Sequence, residues 1–331
     1  MSLGNPLRGY ESDHAHQSAF DGFQHGNSGN TPIAAETTPG NTGVATAAAA
    51  ELPEFPEGDF EGDFENFENF VVDSNAGTLT AYWVRATGNK KGTAVFVPGF
   101  TGSKEDFRLL LPAVAALGWD AVAYSQRGQY DSAAPAGVEY YTLTELAADA
   151  ANLALTIFEH CGGELIHVVG HSLGGLVARQ AVLIRPDLFA SLTMLCSGPG
   201  GRDGSHEDDG QFVAAHGPLA LWERNNPHGA QTAEQRMLRD RAAASSTDAY
   251  LGGVQILQDT VDSTPALAAT GVPTLIAHGD ADDAWPIAAQ RAMATELDAD
   301  YAVIPAAGHS PNLDNPDFTA RTLSDFWTSN S

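Results

Sequence analysis

Basic residues are few: 16 Lys and Arg stand against 42 Asp and Glu, a formal net charge of −26. A surface this acidic repels phosphate backbones and anionic headgroups, which argues against nucleic-acid binding and against docking on a charged membrane. Cysteine is nearly absent. The two present, Cys161 and Cys196, permit one disulfide and no disulfide framework. Both read as small buried hydrophobes, because Cys161 continues a helical pattern and Cys196 ends an apolar run. Long apolar runs are missing too: nothing approaches the roughly 18–20 residues of a membrane span, and the opening residues lack the basic and apolar regions of a secretory signal. The expectation is a cytoplasmic protein. The chain has no G-x-x-x-x-G-K-[ST] and no G-x-G-x-x-G opening a helix after a strand, so no nucleotide cofactor is indicated. His206, His216 and His228 fall in a polar stretch without zinc-site spacing, and neither a metal nor any other cofactor is expected.

What is present is enough apolar material, 43% of 331 residues, to fill a sizeable core. Residues 1–65 stand apart. They are rich in Gly, Asn, Ser, Thr, Ala and His, hold no sustained period, and turn acidic after Glu51 with Phe interleaved; they read as a disordered N-terminal arm. From residue 66 onward strands and helices alternate. Strands are expected at 70–72 and 79–84, joined by an Asn75-Ala76-Gly77 turn, and then at 93–97, 119–124, 165–169, 192–196, 273–277 and 301–304. Helices are expected at 106–117, 142–161, 172–184, from Pro286, and near 317–328, with Thr142 and Glu145 forming a capping box. Such alternation implies an α/β fold with a mostly parallel sheet covered on both faces. The two core segments, 66–200 and 271–331, are separated by a polar, helical block at 201–270 that reads as an inserted lid.

Gly170-His171-Ser172-Leu173-Gly174 is a G-x-S-x-G pentapeptide with an apolar strand running into it and a helical pattern leaving it. That is the setting of a nucleophile elbow, where a sharp turn lifts the serine above the sheet and leaves no room for side chains at its glycines. A serine hydroxyl needs a base. His309 is placed to supply it, in a loop after the last strand and before the closing helix. The imidazole needs an acid to fix its tautomer, and three aspartates compete in His278-Gly279-Asp280-Ala281-Asp282-Asp283-Ala284-Trp285-Pro286. Asp282 is favoured, because Asp280 lies close enough behind the strand to brace the turn and Asp283 close enough to Pro286 to cap the next helix. Oxyanion donors are expected from the backbone N–H groups of Leu173 and Phe100.

These pieces in this order resemble the α/β-hydrolase family over about residues 68–328. The Gly279, Asp282 and Pro286 spacing resembles the family's acid loop, and Ser125-Gln126-Arg127-Gly128-Gln129-Tyr130-Asp131-Ser132 resembles its D-x-R-G-x-G-x-S turn with substitutions. The family's His-Gly oxyanion motif appears as Pro98-Gly99-Phe100, without the histidine that could brace the loop. A serine nucleophile points away from the family's dehalogenases and epoxide hydrolases, which use aspartate.

The resulting expectation is a serine hydrolase, a carboxylesterase acting on a small to medium ester through an acyl-enzyme. Leu219, Leu221 and Trp222 of the lid are expected to shape the acyl pocket. C–C bond hydrolysis, lactone hydrolysis, monoacylglycerol lipolysis and acyl transfer could use the same triad, and a non-catalytic binding protein on this fold is the alternative of another class. The expected partner is a small-molecule substrate; the sequence leaves the oligomeric state open.

Overall fold

Each strand from β3 onward carries apolar side chains on both sides, so the sheet they form must be covered twice. In the computed structural model, which describes residues 66–202, 204 and 206–331, it is. An eight-stranded sheet runs in the order β1-β2-β4-β3-β5-β6-β7-β8. Strands β1 (Phe67–Ser74) and β2 (Gly77–Val84) form the expected hairpin, with Ser74 paired to Gly77 around the turn. β2 meets β4 (Trp119–Tyr124) antiparallel, and β3 (Gly92–Val97), β4, β5 (Ile166–His171), β6 (Phe189–Leu195), β7 (Thr274–Gly279) and β8 (Asp300–Ile304) are parallel to their neighbours.

Alternate residues feed two cores. Val95, Val97, Val168, Met194 and Ile276 pack beneath α2 (Leu143–His160), α3 (Leu173–Ile184) and α9 (Ile287–Leu297). Ala94, Phe96, Val169, Leu195 and Ala277 pack on the other face against α1 (Leu110–Ala116) and α11 (Pro316–Ser329), where Trp119 donates its indole N–H to Ser324 Oγ at 3.0 Å. Each fully buried Val, Leu, Ile, Met or Phe among them contributes roughly 1.5–3 kcal/mol on leaving water.

Four local expectations differ from the structure. The single helix expected at 106–117 is a 3-10 turn at Lys104–Phe107 followed by α1, because Pro112 has no N–H to donate back and is tolerated only within a first turn. The capping box of α2 is half made: Thr142 accepts from the Glu145 N–H at 3.3 Å, but the Glu145 carboxylate is drawn to Arg127 at 3.1 Å instead. Leu165, expected to begin a strand, precedes β5 and is 45% exposed. Cys196 is buried as expected, whereas Cys161, at the C-cap of α2, is only half-buried.

Between β6 and β7 lie five helices: α4 (Glu207–His216), α5 (Pro218–Asn225), α6 (Ala233–Ala244), α7 (Thr247–Asp259) and α8 (Thr264–Ala268). Helix α7 docks on the body through two adjacent glycines. A Cβ on Gly252 would lie 2.5 Å from Tyr141 Cβ, and one on Gly253 would lie 2.8 Å from the Phe100 ring. Each costs the helix about 1 kcal/mol of propensity relative to alanine, offset by that close approach. The short α10 (Pro311–Asp314) follows the His309 loop. The acidic arm expected at 1–65 lies outside the described residues.

Candidate active site

Ser172 stands between the end of β5 and the start of α3 with φ 55° and ψ −123°, a conformation that disfavours any side chain. Its neighbours explain how the turn is held. A Cβ on Gly170 would strike the Gly174 carbonyl and come within 2.5 Å of Gly175 Cα; one on Gly174 would strike the Val97 carbonyl and come within 2.5 Å of the Pro98 oxygen. The glycines on both sides of the serine are therefore required by backbone contact, and the Ser172 N–H is fixed by the Leu195 carbonyl at 2.9 Å.

The three expected side chains meet. Ser172 Oγ lies 2.9 Å from His309 Nε2, and His309 Nδ1 lies 2.8 Å from Asp282 Oδ1. The Asp282 carboxylate is wholly shielded from solvent. It also accepts from Gln290 Nε2 at 2.8 Å and from the Ala284 N–H at 3.2 Å. Burial opposes its ionisation, but the bonds from His309 and Gln290 outweigh burial and hold its pKa below the ordinary carboxylate value. Asp280 braces the neighbouring loop, accepting from the Ala306 and Ala307 N–H groups at 3.1 and 3.2 Å. Asp283 is exposed and does not cap α9, whose N-cap is Pro286 with no side-chain cap bond.

The loop carrying His309 is pinned along its backbone. Besides Asp280, Asp314 takes the Gly308 N–H at 2.8 Å, Asn315 donates to the Pro305 carbonyl at 2.8 Å, and His171 Nε2 lies 2.6 Å from the His309 carbonyl. His171 itself is buried, and desolvation followed by the neighbouring His309 lowers its pKa to about 4. A neutral ring donating through Nε2–H satisfies that geometry.

The Pro98-Gly99-Phe100 loop has a brace other than the missing histidine. Gln126 Nε2 donates to the Pro98 carbonyl and Gln129 Nε2 to the Gly99 carbonyl, both at 2.9 Å. Among the described residues no protein acceptor takes the N–H of Phe100 or of Leu173. Leu173 opens α3, whose N-terminus adds a favourable field for negative charge.

Ser172 and His309 line a cavity of about 200 Å³ together with Phe100, Thr101, Arg202, His206, Leu257, Ala284 and Trp285. A second cavity, about 270 Å³, has Phe100 and Thr101 in common with it and is walled by Leu173, Leu221, Trp222, Leu238 and Tyr250 among others. Leu221 and Trp222 thus belong to the second chamber. Leu219 lines neither, because on α5 it is half-buried and turned elsewhere. Arg202, His206 and Trp285 were not foreseen at the site; their segments carry no local signature, and the tertiary fold alone brings them there.

Among the described residues one group has metal-ligand spacing near the site: donor atoms of His171, Cys196 and His309 lie within 4.8 Å of one another. Both nitrogens of His309 are already engaged by Asp282 and Ser172, and burial pushes the Cys196 thiol well up, away from the thiolate a metal needs. The donors fit a triad better than an ion.

Comparison with known proteins agrees with this architecture. A model of the alpha/beta hydrolase family matches residues 94–322. A non-heme haloperoxidase of Rhodococcus erythropolis is 29% identical over 256 residues, which cover 70% of this chain and 90% of that protein. A thermophilic esterase from Thermogutta terrifontis superposes with a TM-score of 0.62 at 21% identity, over 80% of this chain and 100% of its own. The enol-lactonase from Burkholderia xenovorans LB400 gives 0.64 at 20% identity, over 78% and 99%. At such identities the two structural likenesses speak for the fold alone.

Proposed function

The chain belongs to the alpha/beta hydrolase family, and from that premise we propose that it is a serine hydrolase that cleaves a small to medium carboxylic ester through an acyl-enzyme. The observation carrying this reading is the continuous Ser172, His309 and Asp282 relay, with links of 2.9 and 2.8 Å. Asp282 accepts the Nδ1–H of His309, which leaves Nε2 free to take the Ser172 proton as Oγ attacks the ester carbonyl. The depressed pKa of Asp282 keeps its charge in place to stabilise the imidazolium that forms. The N–H groups of Leu173 and Phe100 receive the oxyanion. Their catalytic worth rests on being fixed before the reaction, and a donor of this kind contributes about 10²–10³ in rate. His309 then protonates the leaving alcohol, and water attacks the acyl-enzyme with the same imidazole as base.

Two features support an apolar acyl group of limited length: the second chamber is walled by Leu221, Trp222 and Tyr250, and its volume is about 270 Å³. The five helices between β6 and β7 act in this reading as the lid that closes over it. The test is turnover of phenyl esters from acetyl to palmitoyl by the wild type and by Ser172→Ala. Wild-type activity peaking at short to medium chains and abolished in the variant supports the reading; activity that survives Ser172→Ala refutes it.

A further inference from the structure

The two chambers are free of acid in a chain that is full of it. None of the residues lining either one is Asp or Glu, although the sequence carries 42 of them against 16 basic residues. Cations do line them. In the chamber beyond Phe100, Arg127 is held by Asp149 and Arg241 by Asp106, each at 2.6 Å, so both are neutralised. Arg202 in the Ser172 chamber is different. Among the described residues no carboxylate pairs with it, and His309 and His206 are the other titratable side chains lining that chamber. Burial lowers the pKa of His206, so it adds no cation near neutral pH.

Arg202 is exposed where it lines that chamber, and its backbone is held in place. Its backbone N–H donates to the Leu257 carbonyl at 2.6 Å, and that of Gly201 to the Thr260 carbonyl at 2.6 Å. A Cβ on Gly201 would lie 2.5 Å from the Gln258 oxygen, so this segment is pressed against the end of α7. One guanidinium nitrogen, Nη1, donates to the carbonyl of Ala284 in the acid loop, two residues after Asp282. The remaining donors of the planar fork have no protein acceptor among the described residues, and such a fork matches a carboxylate in a bidentate pair.

We propose that the substrate is the ester of a hydroxy acid, whose free carboxylate pairs with Arg202 while its acyl chain occupies the chamber beyond Phe100. This rests on the serine-hydrolase reading above. The alcohol side is assigned to Arg202 because the leaving oxygen takes its proton from His309, and Arg202, Ala284 and Trp285 lie with His309 in that chamber. A monoanion is the matching charge: among the described residues Arg202 is the one guanidinium lining that chamber and has no carboxylate pair, and one such cation matches one carboxylate.

The experiment compares meta-carboxyphenyl butanoate with phenyl butanoate at 0.15 M ionic strength, a condition under which the acidic surface is screened beyond about 8 Å. The full chain is assayed as wild type, Arg202→Gln, Arg202→Lys and Ser172→Ala, with thermal unfolding as the folding check. An ion pair with an exposed guanidinium corresponds to about 2- to 5-fold in binding. The expected result is that the ratio of kcat/KM for the anionic over the neutral ester drops by about that factor in Arg202→Gln, mainly through KM, and is partly recovered in Arg202→Lys. An unchanged ratio in folded Arg202→Gln overturns the proposal, as does an equal fall for both esters, which makes Arg202 a strap on Ala284 only. Failure of the parent reading looks different: wild type turns over neither ester, or turnover persists in Ser172→Ala.

Discussion

His171 and His309 lie 138 positions apart in sequence, yet the Nε2 of the first is 2.6 Å from the backbone carbonyl of the second, with ring centroids 5.0 Å apart. The residue beside Ser172 thus helps set the position of the loop that carries His309. His171 lines neither chamber and bonds the backbone of His309, so the role expected of it is positioning. Replacing it by Ala leaves the His309 carbonyl without that partner in a half-buried place, a loss of about 1 kcal/mol. The expected outcome is a kcat lowered by about tenfold with KM little changed, and partial rescue in His171→Gln, whose amide can donate to the same carbonyl. Ester kinetics on the three proteins check this; a His171→Ala enzyme with wild-type kcat contradicts it.

His171 also bears on acid stability, together with His167, which stacks on Trp327 and bonds Ser191 Oγ at 2.8 Å. Desolvation lowers both pKa values from 6.5 to about 4. As pH falls below 6.5 the unfolded chain takes up these protons first, so stability present above 6.5 is lost progressively down to about pH 4. The loss is about 3 kcal/mol per ring. Urea unfolding measured across this window should show stability falling with acid, and His167→Phe should flatten the slope by about half. A flat profile in the wild type contradicts the burial argument.

The division of labour among the three aspartates gives a further test. Asp282→Asn preserves the shape of the acid loop but offers the wrong partner to the His309 Nδ1–H, and a fall in kcat of about 10³–10⁴ is expected. Asp280→Asn should act on stability instead, by weakening the bonds to the Ala306 and Ala307 N–H groups, and Asp283→Asn should leave both quantities within about twofold, as surface changes do. Kinetics and melting temperatures of the three variants separate these outcomes; equal kinetic loss in Asp280→Asn would reverse the assignment.

Trp222 and Leu219 sit on one helix with different surroundings. Only Trp222 lines the chamber beyond Phe100. Trp222→Ala should enlarge that chamber and shift the preferred acyl length upward by two or more carbons, on the order of the ~0.8 kcal/mol that each buried methylene contributes. Leu219→Ala should leave the preference unchanged. Identical profiles for Trp222→Ala and wild type would remove Trp222 from the pocket.

That Ser172, His309 and Asp282 meet was legible in the sequence because each is tied to a local backbone requirement. Ser172 needs glycines that only a tight strand-to-helix turn explains, and Asp282 and His309 follow strands in the chain order that the turn implies. The sheet was legible because its strands carry uninterrupted apolar runs bounded by Pro, Gly and Asp. What escaped depends on long-range approach. Gln126 and Gln129 brace Pro98 and Gly99 from about thirty residues away, and an amide in a loop carries no mark of its target. Arg202 is exposed and reads as one more surface charge; only the fold brings it beside α7 and the acid loop. Pro112 could have signalled the break near α1, since its ring excludes the helical bond that a continuous 106–117 helix requires.

The most direct measurement is covalent labelling of the intact protein with a fluorophosphonate, followed by mass spectrometry of its peptides. One adduct is expected per chain, on Ser172, formed far more slowly in His309→Gln and Asp282→Asn, where the hydroxyl loses its base or the base loses its tautomer. Folded protein that stays unlabelled, or carries the adduct on another residue, would contradict a nucleophilic Ser172 and the mechanism built on it.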